Sequence, residues 1–378
     1  MRKILFWLHL CLGIVAGVVI LIMSLSGVLL MYEKQMVAWM DTKDLPPVSQ
    51  GNRLPVESLV EAVKAGEGEP PSALLVYADV SKPVQVTVGR DILYVDPANG
   101  KVLGSAHAGI RGFFRVVTEW HRYLGRSGTE RPTGRWLTGA ANLAFLFIVV
   151  SGLYLWLPKV WTSASVRAIT WFRGGLSGKA RDFNWHNVIG VWCFVPLFFL
   201  VLGATVISYP WASNLVYTLT GSPVPAAGGG PPRGQERAPE EVDLAGLNAL
   251  WQKASTQMPE WRTITLRLPS SAKAPVTFVI DGGYTGQPQK RTTLTVDRAS
   301  GAVRSTESFD DLNLGRRLRT WLRFIHTGEY YGLPGQTIAG VASAGAVVLV
   351  YTGVALALRR LLAWRARNAR QQQMAAKA

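Results

Sequence analysis

The feature that most constrains this chain is a series of four apolar stretches, each long enough to cross a bilayer. They are Ile4 to Tyr32, Trp136 to Leu157, Val188 to Tyr209 and Thr337 to Leu358. A helix rises ~1.5 Å per residue, so about 20 apolar residues span a hydrocarbon core of ~30 Å. The pattern predicts four transmembrane helices separated by polar regions.

The first stretch allows two interpretations, because it directly follows Met1-Arg2-Lys3. A basic start before an apolar run is also typical of a cleaved signal peptide. The run here is roughly twice as long as a signal peptide's apolar core and lacks a small-x-small cleavage site. We therefore favour a retained membrane anchor.

The positive charge of the chain predicts its orientation in the membrane. The formal net charge is +16, and most of the excess lies before the first stretch, in the loop 158–183 and in the tail 359–378. Short basic pieces remain in the cytoplasm. Both termini are expected inside a bacterial inner membrane, with 33–135 and 211–336 in the periplasm. The same distribution indicates the lipid bilayer as partner and argues against nucleic acid.

Each long outer region has the pattern of a small α/β unit. In the first, a helix over Pro55 to Gly66 precedes alternating strands such as Val84 to Val88. In the second, a helix over Leu244 to Met258 precedes the strand Val276 to Ile280. Between the two units, Gly221 to Glu241 is rich in glycine and proline and is expected to be a linker. The sequence thus predicts two small α/β outer domains.

Matching motifs indicate that the chain is built from two parallel repeats. The matched pairs are Val95 to Val102 with Val296 to Val303, Phe114 to His121 with Arg319 to His326, His9-x-x-x-Gly13 with His186-x-x-x-Gly190, and Ser151-Gly152 with Thr352-Gly353. The predicted fold class is a membrane α-helical protein with four transmembrane helices in two parallel repeats. The predicted organisation comprises transmembrane helices at 1–32, 136–157, 184–210 and 337–358, outer α/β domains with an amphipathic helix at 33–135 and 211–336, a basic cytoplasmic loop at 158–183 and a basic cytoplasmic tail at 359–378.

The predicted topology sorts four of the five histidines into two levels. His9 and His186 are expected near the inner face, and His121 and His326 near the outer face. Two imidazoles on opposite sides of a flat macrocycle are what a six-coordinate haem iron requires. The four histidines therefore predict two bound haem b groups, one for each pair.

Two glycines support the haem interpretation, and three arginines extend it. Gly13 and Gly190 lie one turn after the inner histidines, where a missing side chain lets a porphyrin approach the backbone. Arg122, Arg323 and Arg181 are candidate partners of the haem propionates. Anchoring at the membrane interface is the alternative role for these arginines.

Other ligand sets are less suited to these histidines. Zinc would need a third donor near each pair, and the nearest candidate, Cys11, has no counterpart in the second repeat. A single membrane histidine could also serve only as an interhelical hydrogen-bond partner. Three residues are candidates for contacting a substrate at the outer face: Tyr330, Tyr331 and His107.

Two runs carry a resemblance to a known family. Trp120 to Gly125 and Ser151 to Lys159 resemble the PepSY-associated transmembrane family of iron-regulated inner-membrane proteins, whose outer domains are similar to PepSY modules. The likeness covers nearly the whole chain. Within that family the architecture is most similar to the ferrisiderophore reductases, di-haem proteins that pass electrons outward to ferric chelates.

That resemblance implies a transmembrane, haem-dependent ferric-chelate reductase that releases iron(II) from a ferric siderophore. Some relatives carry a fused flavin reductase domain, whereas the loop and tail here are too short for a nucleotide-binding domain. The electron donor is then either a membrane quinol or a separate cytoplasmic flavoprotein. Two alternatives remain open: a permease for an iron complex or cation, and a cofactor-free PepSY sensor or regulator.

Overall fold

The computed structural model describes residues 1–158, 160–226, 244–269, 274–284 and 286–375. Most of the expected linker, residues 227–241, and Lys159 of the family motif therefore lie outside the described residues. In chain order the helices and strands are α1 Arg2–Leu30, α2 Glu33–Thr42, α3 Val56–Glu67, β1 Ala73–Tyr77, β2 Val84–Val88, β3 Asp91–Val95, β4 Val102–Ser105, α4 Ala108–Tyr123, α5 Arg131–Trp156, α6 Ser163–Thr170, α7 Gly178–Ser208, α8 Pro210–Leu219, α9 Leu247–Ser255, β5 Thr263–Arg267, β6 Val276–Asp281, β7 Arg291–Val296, β8 Val303–Ser308, α10 Leu314–His326 and α11 Gly332–Ala375.

The chain divides into two compact units. A helical unit comprises Met1–Glu33, Phe113–Leu215 and Trp321–Ala378, and a sheet unit comprises Lys34–Gly112 and Val216–Thr320. Helices α4 and α10 each begin in the sheet unit and end in the helical unit, where their histidines lie.

Four long helices form the helical unit, as predicted. The helices α1, α5, α7 and α11 are each long and apolar enough to cross a membrane. Both α1 and α7 pack against α5 and α11, so α1 and α7 occupy opposite corners of the bundle. Ala339, Ala342 and Ala346 of α11 are buried in its core, and such small side chains let membrane helices approach closely.

The helices extend beyond the predicted membrane spans. The predicted spans began at 136 and 184, whereas α5 begins at Arg131 and α7 at Gly178. The last predicted span ended at 358, whereas α11 continues to Ala375 and takes in most of the basic tail. This extension is rich in alanine, leucine, arginine and glutamine, which favour helix, and has no glycine or proline to stop it.

The sheet unit corrects the prediction of two separate small domains. Its strands form one continuous antiparallel sheet in the order β4-β3-β2-β1-β5-β6-β7-β8. The two halves join where β1 pairs with β5, with Leu75 opposite Thr265 at the centre of the ladder. Helices α3 and α9 pack on the sheet, and their apolar residues share a single core with it.

The two helices of the sheet unit also contact each other directly. Glu57 lies in the first turn of α3 and Asn248 in the first turn of α9. The Glu57 carboxylate accepts hydrogen bonds from the Asn248 backbone N–H at 2.9 Å and from its side-chain amide at 2.8 Å. In return, the Glu57 backbone N–H donates to Asn248 Oδ1 at 3.2 Å. These bonds satisfy backbone donors that helix starts otherwise leave open.

Candidate cofactor site

The inner pair of histidines lies on opposite corners of the helical bundle. His9 belongs to α1 and His186 to α7. His9 Nδ1 lies 3.0 Å from Ser151 Oγ of α5, and His186 Nδ1 lies 2.9 Å from Thr352 Oγ1 of α11. Each ring is thus held by a hydroxyl on a neighbouring helix.

The direction of these hydrogen bonds follows from the acceptor to which each hydroxyl donates its proton. The Thr352 hydroxyl donates to the Val348 carbonyl at 2.8 Å, and the Ser151 hydroxyl donates to the Ile148 carbonyl at 3.3 Å. A hydroxyl has a single proton, so its lone pairs accept from the imidazole. Nδ1 of each inner histidine therefore carries the proton, and Nε2 is the ring nitrogen left for a metal.

The outer pair lies on the two amphipathic helices. His121 of α4 and His326 of α10 have ring centroids 6.3 Å apart and ring planes inclined by 46°. His121 Nδ1 lies 2.9 Å from Ser26 Oγ, which itself donates to the Ile22 carbonyl at 2.6 Å. His326 Nδ1 donates directly to the Leu200 carbonyl at 2.8 Å. Nε2 is again the nitrogen left for a metal in both rings.

Burial keeps the outer histidines neutral. Removal from water, together with the neighbouring His326, lowers the pKa of His121 from its ordinary 6.5 to about 4. Burial likewise lowers the pKa of His326. Both rings are thus neutral near pH 7, and neutral imidazole is the form that binds a metal.

Glycines of neighbouring helices lie directly against three of the histidine rings. A Cβ placed on Gly152 would lie 3.3 Å from Cε1 of His9, one on Gly353 3.4 Å from Cε1 of His186, and one on Gly27 3.6 Å from Cε1 of His121. Each of these glycines directly follows the hydroxyl residue that holds the same ring. The hydroxyl and the glycine together form a seat for the imidazole.

Sequence reasoning missed the outer seats. Ser26-Gly27 is the same dipeptide as Ser151-Gly152, so the signal was present on the first membrane stretch. The fourth seat, at Leu200 and Gly203 of α7, has no such dipeptide. Only the packing of α10 on α7 identifies it.

The glycines predicted to border a porphyrin have space beside them. A Cβ on Gly13 would meet nothing within 4 Å, and a Cβ on Gly190 would meet only Leu349 Cδ2 at 3.8 Å. These positions do not contact the histidine seats. Both glycines lie one turn from His9 or His186, and the open space beside Gly13 leaves room for a flat ring.

The three candidate arginines differ in their surroundings. Arg181 is paired with the buried carboxylate of Asp182 at 2.9 Å, and Arg359 approaches the other oxygen of that carboxylate at 3.1 Å. Arg122 and Arg323 are exposed, each with its guanidinium over the ring of the adjacent Tyr123 or Phe324. The outer two are therefore better placed than Arg181 to bind an anionic group.

The candidate substrate residues fall into two places. Tyr330 and Tyr331 lie just before α11 with their rings edge to face, 5.2 Å apart, and Tyr331 is exposed. His107 is exposed and immediately precedes α4, where its Nδ1 accepts from the Ile110 backbone N–H at 3.3 Å. This contact gives His107 the role of a helix cap.

The donor set fits haem. Two imidazoles bound on opposite sides of one metal, with bonds of about 2 Å, have ring centroids roughly 6 Å apart, and the outer pair is separated by 6.3 Å. Each pair supplies two imidazoles fixed by a hydrogen bond at Nδ1, the arrangement typical of metal-binding histidines. The bare backbone at Gly13 and Gly190 suits a macrocycle.

The fold and the site define a helical membrane protein with four candidate spans and two histidine pairs inside one bundle. The chain belongs to the family described as the PepSY-associated TM region, whose model matches residues 6–360. No curated protein matches the chain. The resemblance carried by Trp120 to Gly125 and Ser151 to Lys159 is thereby confirmed at the level of the family.

Proposed function

We propose that this protein is a di-haem electron conduit of the bacterial inner membrane that reduces ferric siderophores on the periplasmic side. The observation that carries the proposal is the shared state of four histidines, His9, His186, His121 and His326. All four use Nδ1 in a hydrogen bond, which leaves Nε2 as the remaining ring nitrogen. A purely structural role would not require the same nitrogen in all four.

The two pairs lie at different depths of the bundle. His186 and the Leu200 carbonyl that holds His326 both belong to α7, and at ~1.5 Å per residue they are about 21 Å apart along the helix axis. Two sites at this separation divide the membrane thickness into shorter steps. Such spacing is useful for electron transfer and has no value for a single binding site.

Haem, when bound, supplies a one-electron couple that needs no open coordination position. His9, His186, His121 and His326 would bind and orient it, and the apolar residues around them would exclude water. Arg122 and Arg323 would bind propionates at the outer site, while Arg181 is occupied by Asp182. Tyr330 and Tyr331 would contact the incoming chelate, so that the electron passes outward without a bond to the substrate iron.

The proposed reaction transfers one electron to each ferric chelate. One electron converts the iron(III) of the chelate into iron(II), which hard oxygen ligands bind less strongly, and the metal is released. The donor on the inner side is a membrane quinol or a separate cytoplasmic flavoprotein. The basic loop and tail agree with an orientation that has both termini in the cytoplasm.

The spectrum of the purified protein tests the proposal. Protein from haem-replete cells should show a Soret band and a low-spin, six-coordinate reduced spectrum with two haems per chain. His121→Ala or His326→Ala should remove the outer haem, and His9→Ala or His186→Ala the inner one. His107→Ala is the matched control, since this exposed helix cap lies outside both pairs, and it should retain both haems. Reoxidation of the dithionite-reduced protein by ferric siderophores then tests the reductase activity.

One observation favours the sensor alternative. The sheet unit has its own hydrophobic core, built from both halves of the sheet and from α3 and α9. A unit with its own core could bind a peptide without any cofactor. A colourless preparation from haem-replete cells would favour this alternative and contradict the electron conduit.

A further inference from the structure

The four histidine seats are not equivalent. Backbone carbonyls of Ile148, Leu349 and Met23 approach His9, His186 and His121, as the Leu200 carbonyl approaches His326. The first three rings are also hydrogen-bonded to a hydroxyl, of Ser151, Thr352 and Ser26 respectively, whereas the acceptor of His326 is the carbonyl. The inner pair is therefore symmetric in its hydrogen bonding, and the outer pair is not.

The spacing of residues along α1 and α7 shows which position of α7 corresponds to Ser26 of α1. Ser26 follows His9 on α1 at the same interval at which Gly203 follows His186 on α7. By the same count, Leu200 of α7 corresponds to Met23 of α1. Gly203 thus occupies the position at which a fourth hydroxyl would be expected.

Close packing explains why that position is glycine. A Cβ on Gly203 would lie 2.4 Å from the Leu322 carbonyl oxygen and 3.0 Å from the Cβ of His326. Helix α10 therefore crosses α7 with its backbone almost in contact, and a serine does not fit between them. At this short separation the His326 ring reaches the backbone of α7 and takes the Leu200 carbonyl as its acceptor.

We infer that Ser26, Ser151 and Thr352 are positioning residues that hold three iron-binding histidines with Nδ1 protonated, and that Gly203 lets the fourth use a backbone carbonyl. This inference rests on the proposed function. It predicts that side-chain substitution can change the environment of His9, His186 and His121 one at a time. The acceptor of His326 is a backbone carbonyl, so a side-chain substitution does not remove it.

The hydrogen bond at Nδ1 affects the iron through the ring. An acceptor at Nδ1 fixes the tautomer and increases the electron donation of Nε2 to the metal. Stronger donation favours ferric over ferrous iron. Loss of the acceptor should therefore raise the midpoint potential of the haem that the ring binds, and only of that haem.

The test is a redox titration of the di-haem protein, monitored by absorption and low-spin EPR. Thr352→Val removes the hydroxyl at nearly constant volume and should raise the inner midpoint, with the outer one unchanged. Thr352→Ser keeps a hydroxyl and should restore the wild-type value. Ser26→Ala should shift the outer midpoint instead. Ser24→Ala is its matched control, because Ser24 is a buried serine of the same helix that is not bonded to a histidine.

Haem content and midpoint potentials report on different properties of the protein. Suppose that the wild type binds two haems and that Thr352→Val and Ser26→Ala have the same titration curve and EPR signals as the wild type. The positioning role is then wrong, and the proposed conduit remains. If the wild type binds no haem, the conduit fails and the positioning role fails with it. A shift of both midpoints by a single substitution would contradict the assignment of each hydroxyl to one histidine.

Discussion

At the residue scale, Gly13 tests the haem site proposed at the inner histidine pair. Its missing side chain faces open space, since a Cβ there would meet nothing within 4 Å. We expect Gly13→Leu to lower the occupancy of the inner haem, because the added side chain would enter the volume of the porphyrin. Haem content per chain, measured by the pyridine haemochrome assay, checks the result.

The matched control for Gly13 is Gly112→Leu. Gly112 is also a helix-interior glycine, and a Cβ there would likewise meet nothing within 4 Å. Both substitutions should increase the stability of the helix, because glycine is about 0.8–1.0 kcal/mol less favourable than alanine in a helix interior. Equal haem contents in the two variants would show that no porphyrin lies beside Gly13.

Individual residues of the site differed in how far sequence could predict them. His9, His186, His121 and His326 were predicted because they recur in matched motifs, and repetition is visible in one dimension. Ser26 was missed although it precedes a glycine as Ser151 does. A serine in a membrane helix usually bonds to its own backbone, so only its position relative to His121 reveals its second contact.

At the scale of elements, the crossing of α10 over α7 determines the geometry of the outer site. Gly203→Ala would bring a methyl group to 2.4 Å from the Leu322 carbonyl oxygen. We expect a loss of about 1–3 kcal/mol in the free energy of unfolding, typical of overpacking. The outer haem should be lost preferentially, because the two helices must separate and the bond from His326 to Leu200 lengthens. Thermal unfolding and haem counting measure both effects.

Gly17→Ala serves as the control for this crossing. Gly17 also lies inside a membrane helix, but a Cβ there would make an ordinary 3.8 Å contact with Val350. The variant should keep both haems and the wild-type Tm or better. A Gly203→Ala protein as stable as Gly17→Ala would mean that α10 does not cross α7 this closely.

At the scale of the whole molecule, the sheet unit behaves as two similar halves joined along one seam. Glu57 and Asn248 connect α3 and α9 by three hydrogen bonds. A double-mutant cycle of Glu57→Ala and Asn248→Ala should give a coupling energy of about 0.5–3 kcal/mol, as for residues in direct contact. Urea unfolding of the sheet unit within the full chain provides the measurement.

An additive double mutant would contradict direct contact between the two helices. The control is Glu61→Ala, an exposed position of the same helix α3. Combined with Asn248→Ala, it should show additivity, because Glu61 has no bond to Asn248.

Orientation in the membrane is also a property of the whole molecule. In a chain with Cys11→Ala and Cys193→Ala, a single cysteine at the exposed Ser81 of the sheet unit should react with a membrane-impermeant maleimide added to spheroplasts. A single cysteine at the exposed Ala366 of α11 should react only after the membrane is opened. The opposite pattern would reverse the proposed orientation and place the outer histidines on the cytoplasmic side.

The sequence by itself determined the four candidate membrane spans and showed which histidines recur in matched motifs. Hydrocarbon thickness imposes a minimum apolar length on any spanning helix, so composition along the chain was sufficient to find four spans. The duplicated motifs then matched His9 with His186 and His121 with His326.

Only the tertiary structure decided that the sheet is continuous and that the seats of the histidines differ. Strands β1 and β5 are short, and their pairing depends on contacts between residues far apart in sequence. The acceptor of His326 likewise depends on how closely α10 approaches α7, a distance that the sequence of neither helix contains. Sequence patterns record which residues are apolar or repeated, whereas partners across space are chosen by packing.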